Sequence, residues 1–141
     1  MLTAFLFPGQ GSQKVSMGYD LYKYTDVGKE YFDLANDIME CNIKDIIFNG
    51  PDEKLKETVF TQPAIFIVSV IIGKILIDRG LMPAMVAGHS LGEYSACTIS
   101  GSFSFENGLS LVKLRAENMQ IAGKTNPGTM AAIIGMSFED I

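Results

Sequence analysis

Hydrophobic positions along the chain follow three patterns, and each predicts a different element. Leu2–Phe7 is a short, nearly unbroken apolar run closed by Pro8-Gly9, the pattern of a buried strand feeding a loop over Pro8–Ser16. Ala84–Gly88 repeats that pattern and predicts a second buried strand. A helical period appears in Val27, Tyr31, Leu34, Ala35 and Ile38, which share one face. It returns in Phe105, Leu109, Val112, Ala116 and Met119, behind Ser104 as the capping residue. Between these, Asn49-Gly50-Pro51-Asp52 reads as a turn and Glu53–Glu57 as a short polar helical stretch.

The third pattern has no polar face. Pro63–Arg79 is apolar almost all round and rich in β-branched residues, so periodicity cannot separate helix from strand. Its length suits a helix, with Pro63 at the first helical position and Gly80 just past the end. A helix of that kind must be buried, here against a sheet. Strand, long helix and strand in that order predict a parallel pair joined by a right-handed crossover. A further helix is expected from Ser90 to about Ser100. Asn126-Pro127-Gly128 then breaks the chain before one more predicted strand, Thr129–Met136. There is no internal repeat and no low-complexity segment. The fold class is α/β with a parallel-sheet core.

Composition narrows the functions open to such a fold. The 141 residues suffice for one domain with a hydrophobic core. Net charge is -5, with Lys and Arg scattered rather than striped, which disfavours a nucleic-acid or anionic-membrane surface. Two cysteines, Cys41 and Cys97, and one histidine supply no metal-ligand spacing, so neither a metal nor a resident cofactor is expected. Met1-Leu2-Thr3-Ala4 lacks the charged start of a signal peptide. The most apolar run, Ala64–Ile77, contains Lys74 and is too short to span a bilayer. These features lead us to expect a reduced, cytoplasmic location.

One segment carries chemistry. Gly88-His89-Ser90-Leu91-Gly92 matches G-x-S-x-G, and it joins a predicted strand to a predicted helix. That is the setting of a nucleophile elbow, where a tight strained turn projects the serine hydroxyl from the sheet edge. The helix start would aim backbone N–H groups at developing negative charge, the amide of Leu91 first. A serine hydroxyl needs a base to become a good nucleophile. The only histidine, His89, directly precedes Ser90, and side chains alternate along a strand. His89 is therefore expected to point away and fill a niche beneath the elbow, leaving the catalytic set incomplete.

Two further features stay open on the residues alone. Gly9-Gln10-Gly11-Ser12-Gln13 lacks the Gly-Lys-Ser/Thr of a phosphate loop, and G-x-G-x-x-G breaks at Lys14. It could still lend a backbone amide to an oxyanion, although turn formation also explains its glycines. Arg115 shares its predicted helix with Glu106, Asn107, Lys113 and Glu117, which favours a solvated arginine. The alternative is a guanidinium fork that clamps a substrate carboxylate. The eight methionines read as core filler.

Four segments in register carry a resemblance. Phe7-Pro8-Gly9-Gln10-Gly11-Ser12-Gln13, Thr61-Gln62-Pro63-Ala64, Gly88-His89-Ser90-Leu91-Gly92-Glu93-Tyr94-Ser95-Ala96 and Gly128-Thr129-Met130-Ala131-Ala132-Ile133 together resemble the malonyl-CoA:acyl carrier protein transacylases of type II fatty acid synthesis. Related acyltransferase domains occur in polyketide synthases. The resemblance implies Ser90 as nucleophile, with the backbone amides of Gln10 and Leu91 as the oxyanion hole. It implies Arg115 as partner of the malonyl carboxylate, with Gln10 and His89 beside it in the substrate site. Malonyl-CoA would be the substrate, and acyl carrier protein the second partner. Leu91 also resembles malonyl-selective rather than methylmalonyl-selective members.

Members of that family are longer, and their catalytic histidine lies downstream of these residues. The resemblance therefore implies an N-terminal portion, truncated. Residues 1–127 would be part of an α/β-hydrolase-like subdomain, and 128–141 the start of a ferredoxin-like one, contributing its first strand. Little turnover is expected of such a chain alone. The rival functions are a non-catalytic acyl-CoA or carrier-protein binding fragment, half of a split enzyme, and an esterase or lipase without the carboxylate clamp. An open strand edge and an uncovered apolar face would favour self-association or a missing C-terminal half as partner.

Overall fold

The computed structural model describes residues 2–128 and 133–140. Strand β1 (Ala4–Phe7) is followed by helices α1 (Tyr19–Tyr24), α2 (Asp26–Met39), α3 (Ile43–Asn49), α4 (Asp52–Leu55) and α5 (Thr58–Asp78). Strand β2 (Met85–Gly88), helices α6 (Gly92–Ile99) and α7 (Phe105–Thr125), and a short 3₁₀ turn at Phe138–Asp140 complete the order. The two strands pair in parallel, with Ala4 opposite Met85 and Phe7 opposite Gly88. The α/β class with a parallel pair is thus the observed one. Each strand is shorter than its apolar run, because ladder pairing begins only where Ala84 N–H donates to Thr3 O at 2.8 Å.

Burial alternates along β1. Phe5 and Phe7 turn into the core, whereas Leu6 is 77% exposed on the opposite face. Met85 of β2 is 62% exposed. One face of the sheet is packed and the other is bare.

Helix α5 forms the centre of the core. Ala64, Phe66, Ile67, Val70 and Ile71 are fully buried, packed among α2, α6 and α7. Each of the larger ones, Phe66, Ile67, Val70 and Ile71, contributes about 1.5–3 kcal/mol over an exposed side chain. Phe66 stacks on Phe105 of α7, with ring centroids 5.6 Å apart, and Phe105 meets Tyr31 of α2 edge-on at 4.5 Å. At 21 residues, α5 is long and apolar enough to cross a membrane, so the shorter apolar run gave the wrong measure of its length. Its burial among the other helices accounts for its composition.

Pro63 does not start this helix; it lies inside it. The turn before it is secured by Thr61, whose hydroxyl donates to Leu55 O at 2.5 Å, and by the fully buried Gln62. Gly80 does sit just past the end, at φ +86°. In α2 the most buried residues are Gly28, Phe32, Ala35 and Met39, one step round from the expected stripe. Phe32 wins the central position because it packs edge-on against both Phe48 and Tyr22. The polar stretch expected at Glu53–Glu57 is helical only over Asp52–Leu55, where Leu55 is fully buried.

Ser104 caps α7 by accepting from Asn107 N–H at 3.2 Å. Phe105, Leu109, Val112 and Ala116 are buried as expected, whereas Met119 is 37% exposed and lines a cleft. Part of the strand expected at Thr129–Met136 lies outside the described residues. Ile133–Met136 are irregular, with no strand among the described residues to pair with them.

Candidate active site

The end of β2 and the start of α6 meet in a turn with no room for side chains at its flanks. A Cβ on Gly88 would overlap the backbone of Gly92 and Glu93, and one on Gly92 would overlap the carbonyls of Phe7 and Pro8. Between them Ser90 adopts φ 53°, a left-handed conformation that a non-glycine residue rarely holds without a reason. The turn closes through Gly92 N–H to His89 O at 2.9 Å and Glu93 N–H to Ser90 O at 3.2 Å. Ser90 is exposed at its apex, while Leu91 is buried beneath it. This is the strained strand–turn–helix geometry expected of the motif.

Four elements converge above the serine. Arg115, on α7, donates from Nη2 to Ser90 Oγ at 3.1 Å and from Nη1 to Gln62 Oε1 at 2.5 Å. Its guanidinium also lies 5.9 Å from the centroid of the Tyr94 ring on α6. Gln62 in turn donates from Nε2 toward Gln10 Oε1 at 3.3 Å and Met119 Sδ at 3.2 Å. Gln10, Gln62, His89, Ser90, Arg115 and Met119 thus line one open cleft of about 780 Å³. Such a volume falls in the range of small-molecule sites. A second hollow, of about 430 Å³, lies along β1 and α5 and has a mostly apolar lining without this constellation.

Backbone donors are also available. Among the described residues, no protein acceptor takes the N–H of Leu91 or of Gln10, whereas the Gly11 N–H is held by Gln13 Oε1 at 2.9 Å. Gln10 lines the cleft, and Leu91 directly follows Ser90, which lines it too. The glycine-rich loop is drawn to the elbow by close packing, since a Cβ on Gly9 would lie 2.9 Å from His89 Nδ1.

His89 departs from expectation in one respect. It is exposed at the cleft and lies against Gly9, rather than filling a niche beneath the elbow. The space beneath is occupied by Leu91, and His89 N–H extends the strand ladder to Phe7 O at 3.0 Å. No hydrogen bond joins its ring to Ser90 among the described residues. Arg115 departs in the other direction. The polar neighbours on its helix suggested a solvated residue, yet it is half-buried and bonded to the elbow serine.

Sequence reasoning gave no role to Gln62, Tyr94 or Met119. A signal existed for Gln62: it is a polar amide in an almost wholly apolar helix, which demands a partner when buried.

The comparisons with known proteins agree with this geometry. The acyl transferase domain family matches residues 4–139. The chain belongs to that family. A malonyl CoA-acyl carrier protein transacylase from Bacillus subtilis is 42% identical over 136 residues, covering 96% of this chain and 43% of that protein. The crystal structure of the Synechocystis sp. PCC 6803 malonyl-CoA:ACP transacylase superposes with a TM-score of 0.83 at 44% identity, over 86% of this chain and 41% of that one. A malonyl-transacylase solved in complex with its type II PKS acyl-carrier protein gives a TM-score of 0.82 at 39% identity, over 86% and 40% of the respective chains. The chain therefore spans less than half the length of these relatives.

Proposed function

We propose that this acyltransferase-family chain bears the nucleophile and carboxylate clamp of a malonyl transferase, with malonyl-CoA as donor and the phosphopantetheine thiol of an acyl carrier protein as acceptor. The observation that carries this reading is the convergence of Ser90, in its left-handed turn, with Arg115 at 3.1 Å. A serine alone would serve many acyl groups. A fixed cationic fork beside it favours an acyl group that ends in a second carboxylate.

The chemistry follows in two halves. Ser90 Oγ attacks the thioester carbonyl carbon, and its proton passes to a general base. The carbonyl oxygen becomes an oxyanion, for which the Leu91 and Gln10 amides are the candidate donors. The carbon–sulfur bond then breaks, coenzyme A leaves as its thiol after protonation, and a malonyl-Ser90 ester remains. The carrier-protein thiol attacks that ester in the same manner and regenerates the serine hydroxyl. During both halves the malonyl carboxylate takes the place of Ser90 Oγ as acceptor of the Arg115 Nη2 hydrogen bond, while Nη1 stays on Gln62. Residues 128–141 would begin a ferredoxin-like subdomain over the cleft, and the setting would be cytoplasmic fatty acid synthesis or its polyketide counterpart.

A second reading has a specific observation in its favour. Ser90 is bonded to Arg115 and, among the described residues, to no base, which suits a module that binds acyl-CoA or a carrier protein without acylating itself. Incubating the protein with labelled malonyl-CoA and a phosphopantetheinylated carrier protein separates the two. The proposed function predicts label on Ser90, with at most slow passage to the carrier thiol, and neither in Ser90→Ala. Binding of malonyl-CoA with neither carrier nor Ser90 labelled contradicts it.

A further inference from the structure

We infer that Gln62 is a positioning residue that aims Arg115 at the acyl group and ties it to the glycine-rich loop. The inference deepens the malonyl-transfer reading and rests on it. Gln62 is 1% exposed, inside an apolar helix, so its amide has no water to satisfy it and must be bonded within the protein. Its oxygen accepts from Arg115 Nη1 at 2.5 Å, a charge-assisted bond. That bond fixes the amide orientation, because only the oxygen can accept from a guanidinium. The nitrogen is then obliged to face Gln10 Oε1 at 3.3 Å and Met119 Sδ at 3.2 Å.

The consequence is directional. Arg115 stands on a helix beside the exposed Glu117 and Asn118, and a free arginine there would sample many rotamers. Holding Nη1 on a buried amide leaves Nη2 at Ser90, where a carboxylate attached to a serine-bound acyl group would lie. Gln10, whose backbone amide is an oxyanion candidate, is tethered through the same amide. Among the described residues, Gln62 is thus the one side chain hydrogen-bonded both to Arg115 and to the glycine-rich loop. Pro63 follows it directly, within the helix, in a fully buried turn. That turn fixes where the amide starts.

The test is equilibrium binding of malonyl-CoA and acetyl-CoA by calorimetry, on the complete chain and its Gln62→Leu, Gln62→Glu and Arg115→Ala variants, with thermal melts to verify folding. Gln62→Leu keeps the volume and removes the acceptor. It should weaken malonyl-CoA about tenfold or more relative to acetyl-CoA, the loss expected for one bond to a charged group. Gln62→Glu keeps the shape and places a carboxylate on Arg115, so it should suppress malonyl preference at least as strongly. If Gln62→Leu fails to fold, Gln62→Glu decides alone. Wild-type preference for malonyl in a folded Gln62 variant, alongside its loss in Arg115→Ala, overturns the positioning role and leaves the clamp intact. Unchanged preference in Arg115→Ala itself overturns the underlying reading instead.

Discussion

The hydroxyl of Ser90 and the guanidinium of Arg115 are hydrogen-bonded at 3.1 Å although 25 positions separate them in the chain. One stands on a turn after a parallel strand, the other midway along a long helix, and α5 packs against both α6 and α7 to hold them together. Before substrate arrives, the arginine spends one arm on the serine. Under the proposed function an incoming carboxylate would replace that bond, exchanging a hydroxyl for a carboxylate at Nη2.

Removing the guanidinium should therefore be selective. Arg115→Ala is expected to lower Ser90 acylation by malonyl-CoA by about 10–100-fold, the worth of bonds to a charged group, with little change for acetyl-CoA. Arg115→Lys should restore only part of the loss, since an ammonium cannot contact Gln62 and a carboxylate in fork geometry. The ratio of initial rates for the two donors measures this. An equal fall for both donors would assign Arg115 to the fold.

The backbone of Ser90 is the next object of test. At φ 53° a Cβ costs about 1 kcal/mol relative to glycine. Ser90→Gly should consequently be more stable than Ser90→Ala by about 1 kcal/mol in denaturant unfolding, and both should be unable to form an acyl adduct. Equal stability of the two variants would show that the turn stores no strain.

How much of this was legible in the sequence differs by residue. The elbow was in part, because Gly88 is required by contacts only a few residues away, with Gly92 and Glu93, whereas Gly92 is required by the distant Phe7 and Pro8. The parallel pair was too, since its long connection dictates it. Arg115 was not legible from its own helix, where Glu106 and Lys113 suggested a solvated face; only the resemblance raised it. What decides its role is Gln62, 53 positions away, and local pattern carries no information about such a pairing. Lys113 illustrates the same limit, as it caps the end of α2 by donating to Ile38 O at 3.2 Å and Glu40 at 2.7 Å.

The bare sheet face predicts association. Leu2, Leu6, Met82 and Met85 are 85%, 77%, 66% and 62% exposed, an apolar surface of the kind that soluble proteins normally cover. The purified 141-residue chain should show a mass above that of a monomer in light scattering, falling on dilution. Leu6→Ser should shift it toward monomer while costing under about 0.5 kcal/mol of stability. A monodisperse monomer with a cooperative melt contradicts this expectation.

Cys41 supplies a pH signature away from the site. Burial raises its thiol above the ordinary range, and the positive charges of Lys113 and Lys54 offset this only in part. The folded protein keeps that proton at a higher pH than the unfolded chain does. Its contribution to stability is therefore present below the unfolded value, about 8.5, and lost as pH rises through the folded one. The pH midpoint for alkylation of Cys41, read by peptide mapping, should lie above that of the same thiol in urea. A lower midpoint in the folded protein would contradict the assigned environment.

The central claim is that Ser90 is a nucleophile presented to a malonyl group held by Arg115. The direct measurement is the intact mass of the protein before and after brief exposure to malonyl-CoA, run beside Ser90→Ala and beside acetyl-CoA. The account predicts a single malonyl adduct in the wild type, none in Ser90→Ala, and a smaller yield with acetyl-CoA. An adduct that persists in Ser90→Ala, or no adduct at all in a folded protein that binds malonyl-CoA, would contradict it.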